Sequence, residues 1–310
     1  MSETQKAGNT AAAAIAVMAP SFDRMRPEPN ITGIVPGGTG ILKISDRALV
    51  HSLEFRFHGG LLPSHITGLT VLLDSQVIMK MSGTYLADIF NVYKDDWDPA
   101  VTGTATLDFA NPMLPDPVEA TRTAIPVGNG AGVGTLEVQF EIDDAAPAAG
   151  KLTVKSQVGP LPVDAEGRVI AGAGSIPRVI SGSVQGIEVN TPIRLDKIVP
   201  ARVGADSKKR MLEKLVFDLP YQNIAKIEIL DGEQTIDTLD PVRLNRDQAA
   251  AGRYFIPTRQ IIDKVLRSRI GAYRVMAFEN LVVQVTLQES GAYPLPANLI
   301  YTAHLTGALH

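Results

Sequence analysis

The chain states one pattern twice. Residues 135–142 read TLEVQFEI and residues 280–287 read NLVVQVTL. Leu136, Val138, Phe140 and Ile142 match Leu281, Val283, Val285 and Leu287, and Gln139 matches Gln284. Apolar residues at every second position mark strands with one buried face. Each copy runs into a small Pro-bearing turn, DDAAPAAG or QESGAYPLPA, and then into a second apolar strand, KLTVKSQV or NLIYTAHL. An earlier pair keeps the same order: Leu53-Glu54-Phe55 and Leu215-Val216-Phe217 lead to LTVLLDSQ and KIEILDGEQ. A long-period repeat of this kind describes architecture: two similar β domains in tandem.

Composition permits that reading. The 310 residues are 45% hydrophobic and 20% charged, enough for two cores of ordinary size. A net charge of −4 offers no basic surface, so no nucleic-acid partner is expected. The absence of cysteine removes disulfides and thiolate metal sites and fits assembly in a reducing cytoplasm. No stretch reaches the roughly 18–20 apolar residues of a membrane-spanning helix. AAAAIAVMAPS (11–21) imitates a short leader, but Glu3 accompanies Lys6 before it, so it reads instead as an Ala-rich helix or arm.

Three regions follow: an N-terminal arm at 1–40, a first β domain at 41–175 and a second at 176–310. The arm is expected to order against a neighbour. In the first domain, Leu53, Phe55 and Phe57 alternate with polar residues, as do Leu69, Val71 and Leu73. Asp74-Ser75 is expected to turn the chain, and Val77, Met79 and Met81 return it. The period then changes. In TYLADIFNVYKDD, Leu86, Ile89, Phe90 and Tyr93 fall on one helical face, with Ser82 or Thr84 as cap. Asp240-Pro241 starts a helix at the matching place in the second half, and Gly252 can end it. A further helical stretch is expected through Ile261, Ile262, Val265 and Leu266. Residues 159–192 read as a weakly patterned connection with short strands at RVI and GIEV. The expected fold is mainly β: two tandem Greek-key sandwiches with short helices in loops.

Chemistry-bearing motifs are sparse. His51, His58 and His65 recur every seven residues, which puts strand neighbours on opposite faces and makes no cluster. Asp95, Asp96 and Asp98 flank Trp97, the one tryptophan. Dense carboxylates can hold calcium, although the spacing is not that of an EF-hand. The competing reading is that they end a helix and stay solvated. No other metal and no cofactor is expected. The glycines at 128, 130, 132 and 134 precede a strand, and Gly37-Gly38-Thr39-Gly40 lacks the lysine of a phosphate loop, so both read as turns. Asp143-Asp144 sits in an expected hairpin turn. Arg259, Lys264, Arg267 and Arg269 form a basic run that suits solvent or an acidic neighbour. No catalytic constellation emerges, and the chain is not expected to be an enzyme.

The run ITGLTVLLDSQVIMKMSGTYLADIFNVYKDD carries a resemblance. It is similar to the strand–turn–strand–Ser-Gly–helix segment of double jelly-roll major capsid proteins of membrane-containing prokaryotic viruses, the corticovirus protein above all. The positions concerned are Ser82, Gly83, Leu86, Ile89, Phe90 and Tyr93. The second half departs, with Asp240-Pro241 in place of Ser-Gly. The resemblance implies two eight-stranded jelly rolls and a structural role. The subunit would form a homotrimer, meet neighbouring capsomers and vertex proteins, and tile an icosahedral shell around an internal membrane after assembly in the host cytoplasm. The arm would lie inward, touching membrane or membrane proteins, while loops 111–134 and 159–186 would form an outer tower. Two other classes compete: a secreted tandem β-sandwich that binds carbohydrate or adheres to surfaces, and an enzyme of the bicupin kind. The first would want more aromatic residues, and the second a histidine cluster in each half.

Overall fold

A computed structural model of the chain describes residues 24–29, 31, 33–110, 123–161, 176–196, 198, 211–263, 281–290 and 292–307. The first half contributes β1 (Arg24–Pro27), β2 (Thr39–Ile44), β3 (Ala48–His58), β4 (Ile66–Leu73), β5 (Gln76–Met81), β6 (Thr104–Asp108), β7 (Ile125–Val127), β8 (Leu136–Ile142) and β9 (Lys151–Gly159). The second contributes β10 (Ile176–Gln185), β11 (Pro192–Leu195), β12 (Met211–Phe217), β13 (Ile224–Asp231), β14 (Gln234–Leu239), β15 (Gln260–Asp263), β16 (Leu281–Leu287) and β17 (Asn298–Gly307).

The two halves pair their strands in one order. The first makes β1-β9-β3-β6 and β2-β8-β4-β5, and the second makes β10-β17-β12-β15 and β11-β16-β13-β14. Strand for strand these are the same two four-stranded sheets, with β7 an addition beside β3. The repeated octapeptides are β8 and β16, each central in its sheet, and their alternating residues face inward. The rolls are then welded. β10 lies parallel to β5 at Val179 and Met79, so one sheet of each roll becomes a single eight-stranded sheet.

Two apolar clusters fill the rolls. Leu53, Phe55, Leu69, Val138 and Phe140 belong to the first, and Leu215, Phe217, Ile227, Val283 and Val285 to the second. Burying a side chain of this kind stabilises the fold by roughly 1.5–3 kcal/mol. The sheet β15-β12-β17-β10 lies between the clusters. Leu215 and Phe217 of β12 face the second core while Val216 faces the first, and in β15 Ile261 faces the first and Ile262 the second. That two-sided burial corrects the helix expected through Ile261 and Ile262. A strand buried on both faces reads as a continuous apolar run, which periodicity does not separate from a helix. Val265 and Leu266 lie outside the described residues.

Other local expectations resolve as follows. Asp74 and Ser75 both take positive φ, making the two-residue turn between β4 and β5. The Asp74 carboxylate accepts hydrogen bonds from the backbone N–H groups of Gly134 and Thr135 at 2.9 and 2.8 Å, pinning the glycine-rich segment as a turn. Residues 143–150 are not a hairpin turn, because β8 and β9 belong to different sheets and the segment crosses between them. Asp143 still acts locally, accepting from Ala145 N at 2.7 Å. Within the expected arm, β1 pairs with β9 of the same chain. The connection at 159–192 holds a longer strand than RVI, since β10 runs from Ile176 to Gln185, while GIEV is not a strand.

Register fixes which end each loop leaves from. Arg24 pairs with Val158, Ser52 with Asp108, Ile176 with Gly307, Met211 with Thr306 and Lys214 with Asp263. The chain therefore departs toward 1–23, 111–122, 162–175, 199–210, 264–280 and 308–310 from one end of the pair of rolls. Outer loops and an inward arm were expected at opposite ends; where they leave the rolls, they share one. The helices occupy the other end.

Candidate functional site at the junction of the rolls

The junction is assembled from the helix of the first roll and the sheet of the second. Ser82 starts that helix: its hydroxyl accepts from Tyr85 N at 3.1 Å, so Ser82 rather than Thr84 is the cap. Gly83 is required by close approach. A Cβ there would lie 2.1 Å from Pro63 O and 2.8 Å from Ile66 Cβ. The helical run begins as an α turn (Gly83–Tyr85), widens into a π-helix (Leu86–Val92) and closes as an α turn (Tyr93–Asp95). The wider turn spreads its inward face, so Tyr85, Ala87 and Asn91 are buried together with Leu86, Ile89 and Tyr93. Asn91 satisfies itself against Leu86 O, Thr106 O and Thr106 N at 2.9, 3.2 and 2.7 Å.

Both tyrosines reach the second roll. Tyr85 Oη meets His304 Nε2 at 2.8 Å, and Phe90 lies over the same imidazole with ring centroids 5.4 Å apart. Burial holds His304 well below its ordinary value of 6.5, with Lys214 adding to the effect, so the ring is neutral. Tyr93 Oη donates to Gln248 Oε1 at 3.0 Å and to Asp263 Oδ2 at 3.4 Å. Burial raises both phenols, so each stays protonated. The Lys214 ammonium sits 4.9 Å from the Tyr93 ring centroid and 3.9 Å from Asp263 Oδ2, and burial lowers its affinity for its proton. Lys94 pairs with Asp108, whose carboxyl is pushed up by burial against the opposing pull of Lys94.

A second bridge lies nearer the surface. Arg259 donates to Asp88 of the first-roll helix at 2.6 Å and to Asp218 of the second roll at 2.8 Å, and lies over the Tyr85 ring at 5.1 Å. Burial raises Asp88, with Arg259 opposing. The segment carrying Arg259 also docks by backbone, with Tyr254 N donating to Tyr93 O at 2.9 Å. The basic run is thus partly a clamp, and its Lys264, Arg267 and Arg269 lie outside the described residues. Chemically, the arrangement holds two rolls at a fixed angle through neutral, charge-paired and aromatic contacts.

The sequence-predicted residues divide accordingly. Ser82, Gly83, Leu86, Ile89 and Tyr93 build the helix and its seat, and half-buried Phe90 packs beside them. Asp95, Asp96 and Asp98 act separately: Asp96 takes a left-handed conformation at the helix end, and Asp98 caps the next turn by accepting from Ala100 N at 2.9 Å. Among the described residues, no three His, Cys, Asp or Glu side chains gather as a metal cluster. His51 is buried in β3 and His58 is exposed at its end, as opposite faces require. Sequence reasoning missed Tyr85, Lys214, Asp263 and His304. Two signals were present: adjacent charges in the β12 segment EKLVF, and a histidine inside the apolar strand IYTAHLT.

Two jelly rolls of one pairing order, fused through a common sheet and a buried junction, define a double jelly-roll fold. Residues 25–159, which run from β1 to β9, match the family model described as the viral coat protein P2 N-terminal domain. Among solved structures, the chain is similar to the major capsid protein P2 of bacteriophage PM2, with a TM-score of 0.70 and 16% identity over 93% of this chain and 98% of that one. It is also similar to the major capsid protein of Sulfolobus Turreted Icosahedral Virus, with a TM-score of 0.61 and 11% identity over 92% and 96% of the two chains. A third is the PBCV-1 virus capsid, with a TM-score of 0.54 and 12% identity over 93% and 96%. No curated protein sequence matches the chain. At these identities the likeness to solved structures is one of fold.

Proposed function

We propose that this chain is a structural major capsid protein, and that its trimers are the tiles of an icosahedral shell. The observation that carries the reading is the repeated pairing order, welded side by side between β5 and β10. One subunit so built presents two similar footprints, and a trimer presents six. A three-fold object then packs as a hexagon, and closed symmetry sets the geometry without an active site. The P2 coat-protein match over the first roll supports the coat assignment. The two rolls are assigned to 41–175 and 176–310, behind an arm at 1–40 that lends β1 and the start of β2 to the first roll. Assembly takes place in the host cytoplasm, and the finished subunit resides in the virion, where it meets neighbouring capsomers, vertex proteins and, through the arm, an internal membrane.

Light scattering after size exclusion tests the reading. A particle near three times the chain mass of 33.1 kDa is expected, forming hexagonal arrays in electron micrographs at high concentration. A folded monomer that neither trimerises nor forms arrays at high concentration would overturn it.

A further inference from the structure

We propose that the join between the rolls is repeated between molecules: β1 of one copy lies beside β14 of a second copy, as β5 lies beside β10 within the chain. Closure of the series at three copies rests on the capsid reading; the contact itself does not.

Strand for strand, β14 is the counterpart of β5 and β1 the counterpart of β10. The internal join uses β5 of the first roll and β10 of the second. Their counterparts each pair on one side only among the described residues, β14 with β13 and β1 with β9. Register carries the match to single residues. Met81 pairs with Leu69 and Leu239 with Ile227, and both strands then bulge at the same step, leaving Ile78 and Ile236 as the extra residues. Met79 therefore corresponds to Asp237. Val179 pairs with His304 and Met25 with Gln157. His304 and Gln157 lie opposite Lys214 and Ser52, each one residue ahead of the matching leucines Leu215 and Leu53. Val179 therefore corresponds to Met25.

What the join covers inside the chain stands open outside it. Ile78 and Val179 are both 4% exposed and belong to the first core. Their counterparts Ile236 and Met25 are 42% and 46% exposed, yet both positions stay apolar. An unpaired strand edge that keeps apolar side chains invites another strand. The flanking charges suit unlike edges: Arg24 stands beside Met25, and Asp237 beside Ile236. Like edges would bring equal charges together, which disfavours that pairing. A contact between two different surfaces is head-to-tail, and it forms a ring wherever its rotation closes.

The test uses the full-length protein, which has no cysteine of its own. Met25→Cys and Asp237→Cys are made singly and together, and then oxidised. Neighbouring strands lie about 4.8 Å apart, within the span of a disulfide. The double variant is expected to give covalent trimers on a non-reducing denaturing gel, and each single variant only monomers. Trimers in light scattering without covalent linkage overturn the contact and leave the capsid reading standing. A covalent ladder that runs past three upholds the contact and overturns closure as a trimer. Covalent dimers from a single variant would mean that like edges meet, against the proposal. Ile236→Arg serves as a second variant without thiols. It should raise the dissociation constant of assembly at least tenfold with the circular dichroism unchanged, and undiminished assembly overturns the proposal.

Discussion

In the first roll the strand before the helix ends in Ser82-Gly83, and the helix presses so close to Pro63 that no side chain fits at position 83. In the second roll Asp240-Pro241 occupies the matching place. Asp240 Oδ1 accepts from Arg243 N at 2.7 Å, as Ser82 accepts from Tyr85 N. Both helices face a 3-10 turn just ahead of the matching strand, Pro63–His65 before β4 and Tyr221–Asn223 before β13. Cap, turn and strand order are shared; the residues are not. What differs is the load. The first-roll helix spans the junction with two buried tyrosines, whereas the second-roll helix, Pro241–Ala250, mainly closes its own roll and sends Gln248 to meet Tyr93. Equivalent positions keep their geometry, and residue identity is spent where one roll meets the other.

That comparison can be broken or sharpened by substitution. The largest effect is expected from Phe55→Ala and Phe217→Ala, matching residues of β3 and β12 that are both fully buried. Each should cost about 3–5 kcal/mol in urea unfolding. Phe55→Ala should be the worse, because that ring also meets Phe140 edge to face at 5.6 Å. Equal losses would argue that the cores are interchangeable. Gly83→Ala comes next, at about 1–3 kcal/mol from overpacking against backbone. Its counterpart Pro241→Ala should cost less than about 1 kcal/mol, chiefly through the unfolded chain. If the order reverses, the close approach at Gly83 is not what fixes the first helix. Ser82→Ala and Asp240→Ala should each cost about 1 kcal/mol, since both remove a helix cap. A clear difference between them would show that the two starts are not equivalent.

The smallest effect is on pH. His51 of the first roll is lowered to about 4 by burial, and His304 of the junction is also held well below 6.5. The unfolded chain takes up these protons first, so their stability is full above pH 6.5 and is lost as pH falls toward the folded values. From pH 7 to 6 the loss is expected to stay below about 1 kcal/mol per histidine. Asp88 and Asp108, raised by burial, act in the opposite sense nearer the carboxylate range. Melting temperature against pH should flatten in part for His51→Gln and in part for His304→Gln. A slope untouched by either change would assign it to other groups.

The sequence disclosed most where one face of a strand is wet. β8 alternates throughout and β3, β4, β13 and β16 over part of their length, and their repetition was enough to predict two tandem sandwiches. β15 was misread because both its faces are dry. The helix at 83–95 was visible, but its π-helical middle was not, so Tyr85 and Asn91 were left off the buried face. The junction was hidden for a different reason. Tyr85 and His304 meet from positions 219 residues apart, and one-dimensional patterning carries no record of such a meeting. The register of β12 against β17 shifts at Glu213, and that bulge did leave a trace, since two charges in succession interrupt a strand that faces both cores.

The sheet shared by the two cores has a consequence for synthesis. Val216, Ile256 and Ile261 complete the first core, yet they are translated after the first roll has emerged. A nascent first half therefore waits with an apolar flank open, at the stage when exposed strands and apolar surface most invite aggregation. The chain should acquire protease resistance in one late step, after residue 261 has been made, rather than one roll at a time. Ribosome-stalled chains of increasing length, challenged briefly with protease, would reveal an early protected first half if that expectation is wrong. The maturity of the first half is thus tied to possession of the second, and a chain cut short of β15 is left with neither roll complete.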